Sequence, residues 1–290
     1  MLTSQLWSKS KNNILDYCRK KYFYTYLHQQ DSQQFYGDND EVTVLKKLQN
    51  RFLIRGRVIS NTIKMILLDR IYGFENNENY YSAIAIKELA EIINKSNDLF
   101  EKYYNLQKGI DFIKFYYETG VCIENFMRSD IFNTLKKIPP QLLKFPESEN
   151  SNSAVLSFLL YDYKIFGAPD LYFADEKKLS IYNWKNGVYD KNGDYWITAA
   201  LSYLYLKDLL SFEFEKFKNI YINIFFTCEN KTVLYEEKNS IKKITEDFTK
   251  YLKTSIVELA KVDSKPQQWF IRTEDKNKCK LCNFKKICLT

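Results

Sequence analysis

The chain closes on CKLCNFKKICLT, where Cys279, Cys282 and Cys288 stand in a C-x2-C-x5-C spacing. Thiolates are soft ligands, and a tetrahedral zinc ion or an iron–sulphur cluster ordinarily takes four of them. Three at one terminus therefore call for a fourth from elsewhere, and the segment that supplies it must fold back onto the tail. Cys18, Cys122 and Cys228 remain to choose from. Cys122 in GVCIENF and Cys228 in FFTCEN lie in apolar surroundings, which reads as core packing.

What clustered thiols do depends on the redox compartment. No apolar run reaches the ~18 residues of a membrane span, and MLTSQLWSKS lacks the hydrophobic stretch of a signal peptide. The expectation is a cytoplasmic protein with no membrane partner. In that reducing setting, clustered cysteines are more often metal ligands or core residues than disulfides.

At 290 residues the chain is long for one domain, yet within reach of a single large α/β core carrying an insertion. Its 45% hydrophobic and 27% charged content excludes general disorder. The balance is basic, 43 Lys and Arg against 36 Asp and Glu, and the chain holds 23 Tyr and 21 Phe. Cations that neutralise phosphates and rings that stack on bases are what a nucleic-acid groove uses. The same composition also fits a lysine-rich chain with a tyrosine-heavy core, so both readings stay open.

From Ser10 to about Gln29, Ile14, Tyr17, Cys18, Tyr22 and Tyr26 recur at helical spacing, behind a serine suited to capping. Val44, Leu48, Phe52, Ile59, Ile63 and Ile66 extend the pattern from about Glu41 to Tyr72, and further helical segments follow near Ser82–Gln107 and Lys108–Ile138. The breaker-rich KIPPQLLKFPESENSNS ends the helices. AVLSFLLYDY, YKIFGAPDLYFA and KKLSIYNWK then read as strands, the last two forming an antiparallel hairpin across Asp175–Lys177, with another turn at Asn186-Gly187. A helix from about Tyr195 to Leu210, a strand in NIYINIFFTC and a helix near Ser240–Val262 complete the chain. The expected fold class is mixed α/β, a sheet flanked by helices. It divides into an N-terminal helix in 1–40, a helical subdomain in 41–138, and a core sheet with the cysteine tail in 139–290.

Taken together, the helix bearing YCRKKYFY, the hairpin GAPDLYFADEKKLSIYNWKNG and the tail CKLCNFKKIC resemble the PD-(D/E)XK nuclease superfamily. Within it they are similar to the RecB-like branch, which includes AddB-type and CRISPR-associated exonucleases, and the likeness spans nearly the whole chain. It implies a restriction-endonuclease-like core sheet. It also implies a [4Fe-4S] cluster held by one cysteine near the N-terminus and three near the C-terminus, here Cys18, Cys279, Cys282 and Cys288. Such a set spans 261 positions (279 − 18) and would clasp the two ends of the chain. Zinc is the alternative occupant.

The resemblance further implies a Mg²⁺ or Mn²⁺ site, and here the sequence departs from the pattern. Pro169-Asp170 matches the first metal ligand and Lys185 the lysine that orients the nucleophile, but Asn183 stands where a second carboxylate is expected. In GRVISNTI, Ser60 stands where a metal-binding histidine is expected. A family glutamine is missing from the run Asp194–Leu210, although Tyr203 or Tyr205 matches its companion tyrosine, and the one histidine, His28, lies on the first helix. With Asp170 at −1 and Lys185 at +1, the site is neutral before any metal arrives. A hard cation finds only a neutral amide oxygen at Asn183. Glu118, Glu124 and Asp162 are the acids near enough in the chain to stand in.

The expected function is therefore a DNA-binding protein with a cluster and a weakened or lost nuclease centre, acting as a scaffold or subunit of a DNA-processing or defence complex. Arg19, Lys20, Lys21, Lys280, Lys285 and Lys286 are the expected contacts to single-stranded DNA or duplex ends. Two alternatives stay open. One is an active Mg²⁺- or Mn²⁺-dependent DNA nuclease using Asp170, Asn183 and Lys185, and the other is a protein-interaction module with structural zinc.

Overall fold

The computed structural model describes residues 6–28, 41–146, 157–236 and 238–288. Gln29 at the end of the first expected helix, residues 147–153 of the breaker stretch and residues 154–156 opening the first expected strand lie outside them. The protein is mixed α/β. It divides into two compact units, one formed by residues 1–49, 157–166 and 247–290, the other by 50–156 and 167–246. The strands are β1 (Leu6–Trp7), β2 (Leu143–Lys144), β3 (Ser157–Leu160), β4 (Tyr163–Phe166), β5 (Leu171–Ala174), β6 (Lys178–Lys185), β7 (Asn219–Phe226) and β8 (Lys231–Tyr235).

In the first unit β1, β4 and β3 make a small sheet. Its hairpin turns at Tyr161 and Asp162, both at positive φ (52° and 63°), the backbone that the twist of a two-residue hairpin favours. Asp162, considered above as a replacement ligand, is thus a turn residue. Trp7 is fully buried beside Phe248, with ring centroids 5.6 Å apart, and its indole N–H donates to Ser255 Oγ at 3.0 Å. The C-terminal part of the helix Lys238–Asp263 thereby backs the N-terminal segment. Asp263 also accepts from the Tyr22 hydroxyl at 2.6 Å and pairs with the buried Lys11 at 3.2 Å.

The first expected helix is broken. Lys9–Tyr17 is capped by Ser8, two residues ahead of Ser10, and ends at Cys18, whose backbone is extended (φ −168°, ψ 119°). A second helix, Arg19–Tyr22, starts there and widens into a π-helical turn over Phe23–Leu27. The continuation to Tyr72 is broken as well, into Glu41–Lys47 and Arg51–Ile71, because the Asn50 side chain accepts from Leu53 N and caps a new helix.

In the second unit a five-stranded sheet runs in the order β2-β5-β6-β7-β8. Strands β5 and β6 form the expected antiparallel hairpin, and β6 pairs parallel with β7 over eight residues. A parallel pair needs a crossover, supplied by the helix Tyr195–Leu210. That helix is apolar on nearly every face, as a buried crossover must be, with Ile197, Ala199, Leu201, Tyr205 and Leu206 among its buried residues. One side of the sheet, carrying Leu171, Phe173, Tyr182, Trp184 and Phe225, shares a core with Ile59 and Ile63, Leu89, and Ile123 and Phe126 from three helices. Cys122 belongs to this core and Cys228 packs against it.

YKIFGAPDLYFA is two strands rather than one. Gly167-Ala168-Pro169 separates β4 from β5, and these lie in different sheets. A Cβ on Gly167 would sit 2.7 Å from Leu201 Cβ, so the crossover helix approaches bare backbone at that point. Among the described residues no helix is long and apolar enough to cross a membrane.

Candidate functional site

The cysteines expected to act together line a single pocket in the first unit. Its walls include Cys18, Cys279, Cys282 and Cys288, with Tyr17, Lys21, Lys278, Lys285 and Arg272 around them. Local structure places each thiol. Cys18 sits at the break between two helices, where extended backbone turns its side chain out of the helical run. Cys279 lies on the short helix Lys276–Lys280, whose N-terminus Asp275 caps. Cys282 N donates to Cys279 O at 3.1 Å, and Cys288 N to Phe284 O at 3.0 Å.

The tail is anchored to the segment that bears Cys18. Tyr17 donates its hydroxyl to Lys278 O at 2.6 Å, and Lys20 N donates to Ile271 O at 3.2 Å. Phe284 is fully buried against Tyr24, ring centroids 5.2 Å apart, and the Asn283 amide donates to Leu45 O and Leu48 O. A separation of more than 250 residues in sequence is thus closed by packing and backbone hydrogen bonds.

Burial and the neighbouring thiols set the electrostatics of the pocket. Burial, then the charges of Cys282 and Cys18, push the Cys288 thiol up to about 11, against the pull of Lys20. Burial raises Cys282 as well, and Cys18 and Cys279 add to it. A metal bound at thiols displaces their protons, because the thiolate is the ligand.

The basic residues expected to meet nucleic acid lie in this same unit, in varied settings. The Arg19 guanidinium stacks on Trp269 at 4.2 Å, Lys20 lies over Tyr24 at 5.2 Å, and Lys21 over Tyr17 at 4.9 Å. Lys286 pairs with Glu41 at 2.6 Å, and Lys285 turns its ammonium to Lys280 O at 3.2 Å. Lys280 reaches the Asn277 side chain at 3.4 Å. An open depression beside Cys18 and Arg19 gathers Lys261, Lys265, Arg272 and Lys278 with Asp16 and Glu258. Sequence reasoning passed over those four cations, although KPQQWFIRTEDKNK signals Lys265, Arg272 and Lys278 by interleaving charge with Trp269 and Phe270.

In the second unit the residues matched to the nuclease motif sit at the β5–β6 hairpin. Asp170 N donates to Tyr182 O at 3.1 Å, and Asp170 Oδ2 accepts from Trp184 N at 2.7 Å, so the main chain and the carboxylate of Asp170 are held by backbone groups on either side of Asn183. Asp170 keeps solvent access but is crowded by protein on the remaining sides. That crowding raises its pKa, while the Trp184 N–H and the charge of Lys185 oppose the rise.

Asn183 is 4% exposed. It turns toward the crossover helix, where its Oδ1 accepts from Ser202 Oγ at 3.1 Å, and its Nδ2 is buried without a hydrogen-bond partner. Ser60 is half-buried on the helix Arg51–Ile71, one turn past Gly56, whose carbonyl accepts from Asn186 at 2.9 Å. Glu118 and Glu124 are engaged by Arg55 and Arg128 at 3.4 and 3.6 Å. Tyr203 packs edge-on against Phe214, and Tyr205 is buried. Among the described residues, no group of three or more His, Cys, Asp or Glu side chains is placed so as to hold a metal ion.

No protein-family model matches the chain, and no curated protein matches it.

Proposed function

We propose that this chain is a DNA-binding protein built on a PD-(D/E)XK, RecB-like core. Cys18, Cys279, Cys282 and Cys288 hold a [4Fe-4S] cluster, and the phosphodiesterase centre has lost its strength. The observation that carries the proposal is the convergence of these four thiols on one pocket from opposite ends of the chain. Thiolates are the ligands such clusters use, and the bound cluster supplies structural closure of the two termini. Arg19, Lys20 and Lys21, stacked on aromatic rings beside it, offer cations and π-faces together.

The weakness of the hydrolytic centre rests on charge and geometry. Asp170 already accepts a backbone N–H, Lys185 lowers the local negative charge, and Asn183 gives its amide oxygen to Ser202. A divalent ion would meet one carboxylate whose second oxygen is its only charged donor. The protein therefore positions DNA within a larger assembly rather than cutting it.

Gel-shift and anisotropy titrations with single-stranded and blunt-ended duplex DNA across a salt series test this reading, with a cleavage assay in Mg²⁺ and Mn²⁺ alongside. Binding that weakens as salt rises, as counterion release requires, with no cleavage, is the expected result. Cleavage abolished by Asp170→Ala or Lys185→Ala would establish the active-nuclease alternative. Zinc at the cysteines with no DNA binding would establish the interaction module.

A further inference from the structure

The two cysteines outside the proposed cluster meet each other. Cys122, on the helix Phe112–Arg128, and Cys228, in the turn between β7 and β8, are 106 residues apart in sequence, yet their Sγ atoms lie 2.8 Å apart. Both are free thiols. The separation is within an ångström of a bonded S–S distance of about 2.05 Å.

The surroundings hold this geometry in place. Asn125, one turn along the helix from Cys122, donates its amide to Thr227 O at 3.0 Å and Cys228 O at 3.2 Å, clamping the turn to the helix. Asn186 O meets Cys228 Sγ at 3.3 Å, and Asn186 Oδ1 accepts from the Thr227 hydroxyl at 2.9 Å. The two sulphurs also differ in chemistry. Cys122 is buried, whereas Cys228 is half-buried and so reachable by a small reagent. The Cys122 thiol hydrogen-bonds to Cys228 and lowers its pKa, helped by the Arg55 charge, while the same bond and burial raise Cys122.

We propose that Cys122 and Cys228 form a reversible dithiol–disulfide couple, with Cys228 as the nucleophile toward a hydroperoxide and Cys122 as the resolving thiol. Cys228 sulphur attacks the distal oxygen of hydrogen peroxide, the O–O bond breaks, and the departing hydroxide takes up a proton as water. Cys122 sulphur then attacks the resulting sulphenic sulphur, the S–O bond breaks, and a second water leaves with the Cys122 proton. Two electrons pass from the thiol pair to one peroxide, and a thiol reductant reverses the change. The disulfide would staple the helix to the end of the sheet, next to Thr227, whose N–H donates to Lys185 O at 3.0 Å. This inference does not depend on the cluster or on DNA binding.

Peptide mapping tests it on the full-length protein. After stoichiometric hydrogen peroxide, denaturing alkylation and tryptic digestion without reductant, the peptide Phe115–Arg128 should be found linked to Asn219–Lys231, lighter by two hydrogens and separable by dithiothreitol. The variant Cys122→Ser should instead leave Cys228 as a sulphenic acid that dimedone traps. Cys228→Ser should leave Cys122 alkylatable after the same treatment. Both peptides recovered as free, alkylated thiols after peroxide, or Cys228 driven to sulphinic acid while Cys122 stays free, would overturn the proposal. The wild-type map suffices even if a variant does not fold. Oxidation at the other four cysteines is read on separate peptides.

Discussion

Changing Asn183 to Asp restores the carboxylate that a nuclease centre would carry, and the structure sets its consequence. The side chain is 4% exposed, with the Ser202 hydroxyl as its hydrogen-bond donor. An aspartate there either ionises in a buried place beside Asp170, at a cost of about 3–5 kcal/mol for an uncompensated buried charge, or stays protonated. Staying neutral at about pH 8, against an unfolded value of ~3.9, costs about 1.36 × 4.1 ≈ 5.6 kcal/mol. The cheaper route sets the loss, so Asn183→Asp should destabilise the protein by roughly 3–5 kcal/mol at about pH 8. In a domain of this size the melting midpoint should fall by roughly 6–20 °C.

The sign follows from linkage. The folded-state pKa of the new carboxyl is raised, so the variant matches wild type below the unfolded value and loses stability as pH rises through the folded one. Mn²⁺ at about 100 times its dissociation constant should return about 2.7 kcal/mol by binding the paired carboxylates. Thermal melts at about pH 5 and 8, with and without Mn²⁺, read all of this. A variant as stable as wild type at the higher pH would refute the burial of Asn183 against Ser202. A loss that Mn²⁺ leaves untouched would refute the assignment of this hairpin as a nuclease-type metal position.

Three further outcomes are expected. Cys18→Ser should leave the protein colourless and make the tail after Phe270 a site of rapid limited proteolysis, whereas Cys122→Ser should retain colour. Gly167→Ala should cost about 1–3 kcal/mol in urea unfolding, because the new methyl meets Leu201 Cβ at 2.7 Å rather than the tip of a flexible chain. Asp170→Asn should gain stability over wild type as pH rises and converge with it in acid, since the folded protein raises the Asp170 pKa and loses stability as that group ionises.

Local signals made part of this structure readable in advance. The crossover helix Tyr195–Leu210 and the hairpin across Asp175–Lys177 follow from an uninterrupted apolar run and a polar turn, and both stand where expected. Elements whose cause is tertiary were not readable. Cys18 breaks a segment with good helical periodicity, and Tyr17 and Lys20 on either side of it bond to Lys278 O and Ile271 O, partners more than 250 residues away. β1 and β2 are two residues long and exist only through pairing with β4 and β5, and β8 is half-exposed KTVLY with little alternation to mark it. The spacing of the tail pointed to thiolate chemistry but could not supply its fourth member, nor bring Cys122 to Cys228.

Elemental analysis of anaerobically purified protein reads out whether the four cysteines from the two termini hold an iron–sulphur cluster. About four iron and four acid-labile sulphide per chain are expected, with broad absorbance near ~400 nm, all lost in Cys18→Ser. About one zinc per chain and no visible absorbance, or iron that survives the loss of Cys18, would contradict a cluster held there.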